Sequence, residues 1–170
     1  LVKSYQLPNG FPVYVYEKKS APVAAVQLWY NVASSHEKTG QRGIAHFFEH
    51  MMFRGSKHVG DEEHTQLIEA VGGNSNAYTA DDMTVYIQTL PSNHLELAIK
   101  LEAERMENLI IDEARLEKEL EVVKEEYRWR YQNNPYGDIF RQTRSVLFLS
   151  QHYGIGPIGL LEDLAYPVAA

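Results

Sequence analysis

The 170-residue chain contains no cysteine. Disulfides and thiolate zinc sites are thereby excluded, and any metal or nucleophile chemistry falls to histidine, carboxylate and hydroxyl groups. A basic surplus is missing too, since 16 Lys and Arg stand against 23 Asp and Glu, a formal net charge of -7. Such a surface does not neutralise phosphates, so nucleic acid and anionic membranes are poor candidates as partners. No apolar run approaches the roughly 18–20 residues of a membrane helix. Leu1-Val2-Lys3-Ser4 lacks the basic-then-apolar layout of a signal peptide, and a chain that does not begin with Met leaves a removed leader open. Repeats, low-complexity tracts and flexible linkers are also wanting. What is present, 44% hydrophobic and 23% charged residues, is the composition of one globular domain or a piece of one.

The chain reads as an α+β unit. Tyr5-Gln6-Leu7 and Val13-Tyr14-Val15-Tyr16 flank an Asn9-Gly10 turn signal and predict a hairpin. Val23 to Val32 is apolar enough for a central strand. Polar Ser34 to Gln41 reads as a loop, and residues 43–53 as a helix that is apolar almost all round and therefore buried. Asp61 is placed to cap a short helix through Val71, stopped by Gly72-Gly73. Strands are expected at Asn76–Ala80 and Met83–Leu90, then helices to about Asn108, from Asp112 to about Gln132, and over residues 138–149. The architecture expected is a mainly antiparallel sheet with helices packed on one face.

Chemistry concentrates in Gly43-Ile44-Ala45-His46-Phe47-Phe48-Glu49-His50-Met51-Met52-Phe53. With His46 at zero on a helical wheel, His50 falls near about 40° and Glu49 near about 300°, so the polar side chains share one arc of an otherwise apolar helix. Burying two imidazoles and a carboxylate without partners costs several kcal/mol, so something satisfies them. Histidines at i and i+4 present nitrogens to one point, as a zinc ion requires. The order H-x-x-E-H is the inverted zinc-peptidase spacing. A buried polar network would hold the same stripe without a metal.

A catalytic zinc takes about three protein ligands, and without cysteine the third is His or a carboxylate. On the long helix, Leu116, Leu120, Val123 and Tyr127 form the apolar face; Glu119 and Glu126 fall at its edge, about two turns apart. Glu125 falls on the opposite, solvent side. Phase therefore prefers Glu119 or Glu126 to Glu125. His36, His58, His64, His94 and His152 lie in polar or loop contexts and read as solvated.

Together these residues resemble the pitrilysin or insulinase family of zinc peptidases (inverzincins), of the mitochondrial-processing-peptidase type. The resemblance runs over nearly the whole chain, from Leu7-Pro8-Asn9-Gly10 through the zinc-helix motif to Glu126. It implies one Zn2+ per chain on His46, His50 and Glu126, with Glu49 as general base and Glu119 as the supporting carboxylate of the catalytic set. It also implies that Asn76, Ala77, Tyr78 and Thr79 lie on the edge strand to which an extended peptide substrate adds. Family members pair two homologous modules around the substrate. Residues 1–170 correspond to a single, incomplete N-terminal module, so the resemblance implies a second module in cis or in trans and a dimer of modules. The protein implied is a zinc metalloendopeptidase, soluble in a bacterial periplasm or cytoplasm, that degrades or processes peptides. The other outcome within the family is a non-catalytic assembly subunit. Thioether-cleaving enzymes of autoinducer synthesis share the inverted motif but ligate metal through a cysteine, which this chain lacks. A purely structural metal would leave Glu49 without a use.

Overall fold

The structure, a computed structural model, describes residues 1–165. Strands β1 (Val2–Gln6) and β2 (Pro12–Tyr16) form the hairpin that Asn9-Gly10 predicts, with Gln6 opposite Pro12 and Gly10 at φ 87° in the turn. Strand β3 (Val23–Tyr30) leads to helix α1 (Ile44–Met51) and helix α2 (Glu63–Ala70). Strands β4 (Asn74–Thr79) and β5 (Thr84–Pro91) follow, then helices α3 (Leu95–Asn108), α4 (Glu113–Tyr127) and α5 (Gly137–Leu147).

The second sheet is antiparallel in the order β3-β5-β4. Val23 to Val32, expected at the centre, therefore lies at an edge among the described residues, and β5 is the central strand. The period explains the difference. Along β3 the residues alternate, Val23, Ala25, Gln27 and Trp29 pointing outward with Trp29 56% exposed, whereas the side chains of β5 are mostly buried. Apolar content alone suggested burial on both faces; alternation belongs to a strand with one face wet.

Helices α1, α2 and α3 cover the inner face of this sheet. Under β3 and β5, Ile68, Leu90, Ala98 and Leu101 form one core with Ala24 and Val26. Phe47 and Met51 of α1 meet Leu116, Val123 and Tyr127 of α4 in another, closed by Ile158 and Leu164. Asp112 caps α4 by accepting from the Arg115 amide at 2.9 Å. Asp61, expected to cap α2, does not: its carboxylate pairs with Arg54 and Lys118 at 3.3 Å each, and Glu62 precedes the helix at φ 60°. Two nearby cations hold that carboxylate away from the helix end.

Helix α1 is anchored from a distance. The buried Glu37 carboxylate accepts from the amides of Gly43 at 2.7 Å and Ala45 at 2.8 Å, placing a negative charge on the helix N-terminus. Gly43 is required where it stands: its φ is 92°, and a Cβ would meet the Ile158 carbonyl oxygen at 2.5 Å.

His64 is a correction to the sequence reading. It is 4% exposed, and its Nε2 accepts from Gln88 Nε2 at 2.8 Å. Gln88 also donates to Glu102, which holds Arg105 through two hydrogen bonds of 2.8 and 2.5 Å. The Arg105 guanidinium lies 4.2 Å from the Tyr86 ring centroid. The amphipathic period marks Leu67, Ile68 and Val71 but gives no sign that a polar residue beside them turns inward.

Burial, followed by the charge of Arg105, pushes His64 down to about 3. An unfolded histidine protonates near about 6.5. The unfolded state therefore binds the proton first, and stability declines as pH falls from about 6.5 toward about 3. Between pH 7.5 and 5, His64 removes about 2 kcal/mol. Urea midpoints across that range will fall more in the wild type than in His64→Gln, which keeps an acceptor for Gln88 but does not titrate; equal slopes would contradict this. Removing the carboxylate with Glu37→Ala is expected to destabilise the protein by about 2 kcal/mol, and Glu37→Gln, which retains one acceptor, by less. An unchanged urea midpoint in Glu37→Ala would contradict the anchoring role.

Candidate active site

The packing of α1 on α4 turns the polar stripe of one helix toward that of the other. His46 Nε2 lies 3.5 Å and His50 Nε2 3.4 Å from the same oxygen, Glu126 Oε2. The two imidazole rings sit 4.7 Å apart between centroids. One ligand atom from each of His46, His50 and Glu126 falls within 4.8 Å of the others. Glu125, one residue away, projects outward with its side chain 70% exposed and pairs with Arg128.

Glu119 sits behind this group. It is 0% exposed; its Oε1 accepts from His50 Nδ1 at 2.8 Å, and its carboxylate also takes Arg54 through Nε and Nη2. With no accessible surface, its carboxylate meets His50 and Arg54 and not solvent. The bond to Nδ1 orients the His50 ring and leaves Nε2 facing Glu126. His46 Nδ1 is buried with no hydrogen-bond partner among the described residues, so the polar contact of that ring is made through Nε2.

The electrostatics separate the two histidines. Burial and then the charge on His50 push His46 down to about 4. Burial also disfavours charge on His50, but the hydrogen bonds and charges of Glu119 and Glu126 outweigh it and raise His50 to about 9. Burial alone would raise Glu119 and Glu126, yet their cationic partners hold both below the usual carboxylate range. The pair of carboxylates thus demands positive charge at the point where the imidazole nitrogens meet. Two imidazoles and one carboxylate, with no thiolate, form a His2Glu donor set whose chemistry fits zinc.

Glu49 lies on the other flank of α1. It is buried, and its Oε2 accepts from Thr79 Oγ1 at 2.5 Å. Burial raises its pKa, and the Thr79 hydrogen bond pulls against that shift. The contact joins α1 to β4, whose far edge pairs with no strand among the described residues. Asn76 and Tyr78 face outward on β4 while Ala77 and Thr79 face the helices. The Thr79 hydroxyl, Arg54 and Glu37 were not singled out for these contacts in the sequence. Each acts across a tertiary contact, from 6 to 65 positions away, where no local period reports it.

A cleft of about 240 Å³ lined by Ser34, Glu37, Arg42, Gln151 and His152 includes none of His46, Glu49, His50 or Glu126. Convergence of donors, and not cavity size, marks the candidate site.

The chain is similar to known proteins over almost its whole length. A protein of Helicobacter pylori named zinc protease PqqE is 33% identical over 163 residues, which is 95% of this chain and 37% of that protein. A crystal structure described as a protease from Helicobacter pylori superposes with a TM-score of 0.95 at 31% identity, covering 99% of this chain and 41% of the other. The first half of the periplasmic protease PqqL from Escherichia coli superposes with a TM-score of 0.86 at 25% identity, over 99% and 37% of the two chains. The chain thus spans well under half the length of these relatives. Residues 13–149 match the model of the family described as Insulinase (Peptidase family M16), and the chain belongs to that family.

Proposed function

We propose that the chain is the metal-holding module of a zinc-dependent endopeptidase that hydrolyses or processes extended peptides. The observation that carries this is the convergence of His46, His50 and Glu126 on one point, with Glu49 beside it and tied to an edge strand. His46 Nε2, His50 Nε2 and Glu126 Oε2 would hold the ion. When bound, zinc supplies Lewis acidity, which makes water a nucleophile near neutral pH and polarises a carbonyl.

The remaining tasks fall to the chain. Glu49 takes the proton of the attacking water at a carboxylate oxygen and delivers it to the leaving amine, a role that its raised pKa suits. The Thr79 hydroxyl holds that carboxylate in place. The free edge of β4 along Asn76, Ala77, Tyr78 and Thr79 binds an extended peptide by backbone hydrogen bonds, which tolerates varied side chains. Because Thr79 belongs to the same strand, peptide and base are positioned by one element. Glu119 orients His50.

A second homologous module, in cis or in trans, completes the active site over this surface. The 37% coverage of the zinc protease relative supports that reading. So does α5, which turns Ile139, Phe140, Val146 and Leu147 to solvent, an apolar face of the kind that assemblies cover.

Elemental analysis is expected to give about one zinc per chain in the wild type and in Glu125→Gln, and none in Glu126→Gln. Equal zinc in both glutamine variants would remove Glu126 from the ligand set. In the complete enzyme, Glu49→Gln retains zinc and loses hydrolysis of a fluorogenic peptide. Thr79→Val, which deletes the hydroxyl at nearly constant shape, retains zinc and lowers kcat about tenfold, the equivalent of one hydrogen bond. Zinc bound with no hydrolysis in the complete wild-type protein would contradict the enzymatic reading.

A further inference from the structure

We propose that Arg130 is a positioning residue that makes Glu126 a one-oxygen ligand. The proposal rests on the reading of His46, His50 and Glu126 as a metal site. Helix α4 does not stop in α geometry. Arg128–Gln132 form a π-type turn in which the Asn133 amide donates to the Arg128 carbonyl at 2.8 Å, five residues back. Such turns are rare and concentrate at functional sites.

This turn distributes three side chains. Arg128 goes outward to Glu125, Tyr131 packs on Tyr127 with ring centroids 5.1 Å apart, and Arg130 Nη2 donates to Glu126 Oε1 at 2.5 Å. The other oxygen of Glu126, Oε2, is the one that faces both imidazoles. Each carboxylate oxygen therefore has a separate task. Carboxylates bind cations through one oxygen or both. In a site built from three side chains, a second oxygen from Glu126 would occupy the position that water and substrate need. Arg130 engages the oxygen that would intrude.

Charge alone predicts a different outcome. A guanidinium beside a divalent cation repels it, so an Arg130 acting only as a charge would weaken metal binding, and its removal would tighten binding without altering coordination.

The test uses Co2+ as probe, titrated into the 170-residue chain and read by its visible absorption, which is several-fold stronger for four-coordinate than for five-coordinate cobalt. Circular dichroism checks that each variant is folded. The wild type, Arg128→Ala and Arg130→Lys, which still supplies a donor to Oε1, are expected to show the strong band. Arg130→Ala is expected to bind cobalt with a band several-fold weaker. Loss of cobalt from Arg130→Ala alone also supports the proposal, because the carboxylate is then no longer held at the ligand position. A full-strength band in Arg130→Ala, whether or not affinity rises, overturns it. The same weakening in Arg128→Ala, whose side chain pairs with Glu125, overturns it as well, since the band would then not report the Arg130 contact with Glu126. A wild type that takes up no cobalt instead overturns the metal-site reading on which the proposal stands.

Discussion

Everything at this site depends on two helices meeting through apolar side chains. Phe47 and Met51 of α1 lock against Leu116, Val123 and Tyr127 of α4, and that contact leaves the polar stripes of both helices facing one another. Burying side chains of this size stabilises by about 1.5–3 kcal/mol each, and the packed contact offsets the cost of bringing two imidazoles and two carboxylates together. Glu37 and Gly43 set where α1 begins, and Asp112 sets where α4 begins. The site thus rests on segments that carry none of its chemistry.

Two buried polar clusters in the same fold illustrate different solutions to desolvation. Under the sheet, Glu102 and Arg105 neutralise each other and Gln88 links them to a neutral His64. At the α1–α4 contact the carboxylates outnumber the histidines that burial permits to be charged, so His50 rises to about 9 while His46 falls to about 4. A cluster that draws a proton onto one imidazole has the electrostatic character of a cation site, because metal ligation replaces such protons. Arg54 and Arg130 each hold one of the two carboxylates from outside the meeting point.

Much of this was legible in the chain itself. The stripe of His46, Glu49 and His50 on an apolar helix and the solvent phase of Glu125 follow from a period of about 3.6 residues. The Asn9-Gly10 hairpin and the Asp112 cap follow from local backbone chemistry. The order of the strands did not follow, because β3 and β5 are both apolar and only their side-chain alternation separates edge from centre. Burial of His64, the Glu37 anchor, the failure of Asp61 to cap, and the Thr79 to Glu49 hydrogen bond are decided by partners on other segments of the chain. Local pattern registers the face of a helix; it does not register what a polar residue at the margin of that face will meet.

Anomalous diffraction across the zinc absorption edge, on crystals of this chain grown with zinc, tests the central claim most directly. The account predicts one peak bounded by His46 Nε2, His50 Nε2 and Glu126 Oε2, with Glu49 outside the coordination sphere and still bonded to Thr79. No peak at that point, or zinc held instead by another pair such as His58 and Glu104, would contradict it.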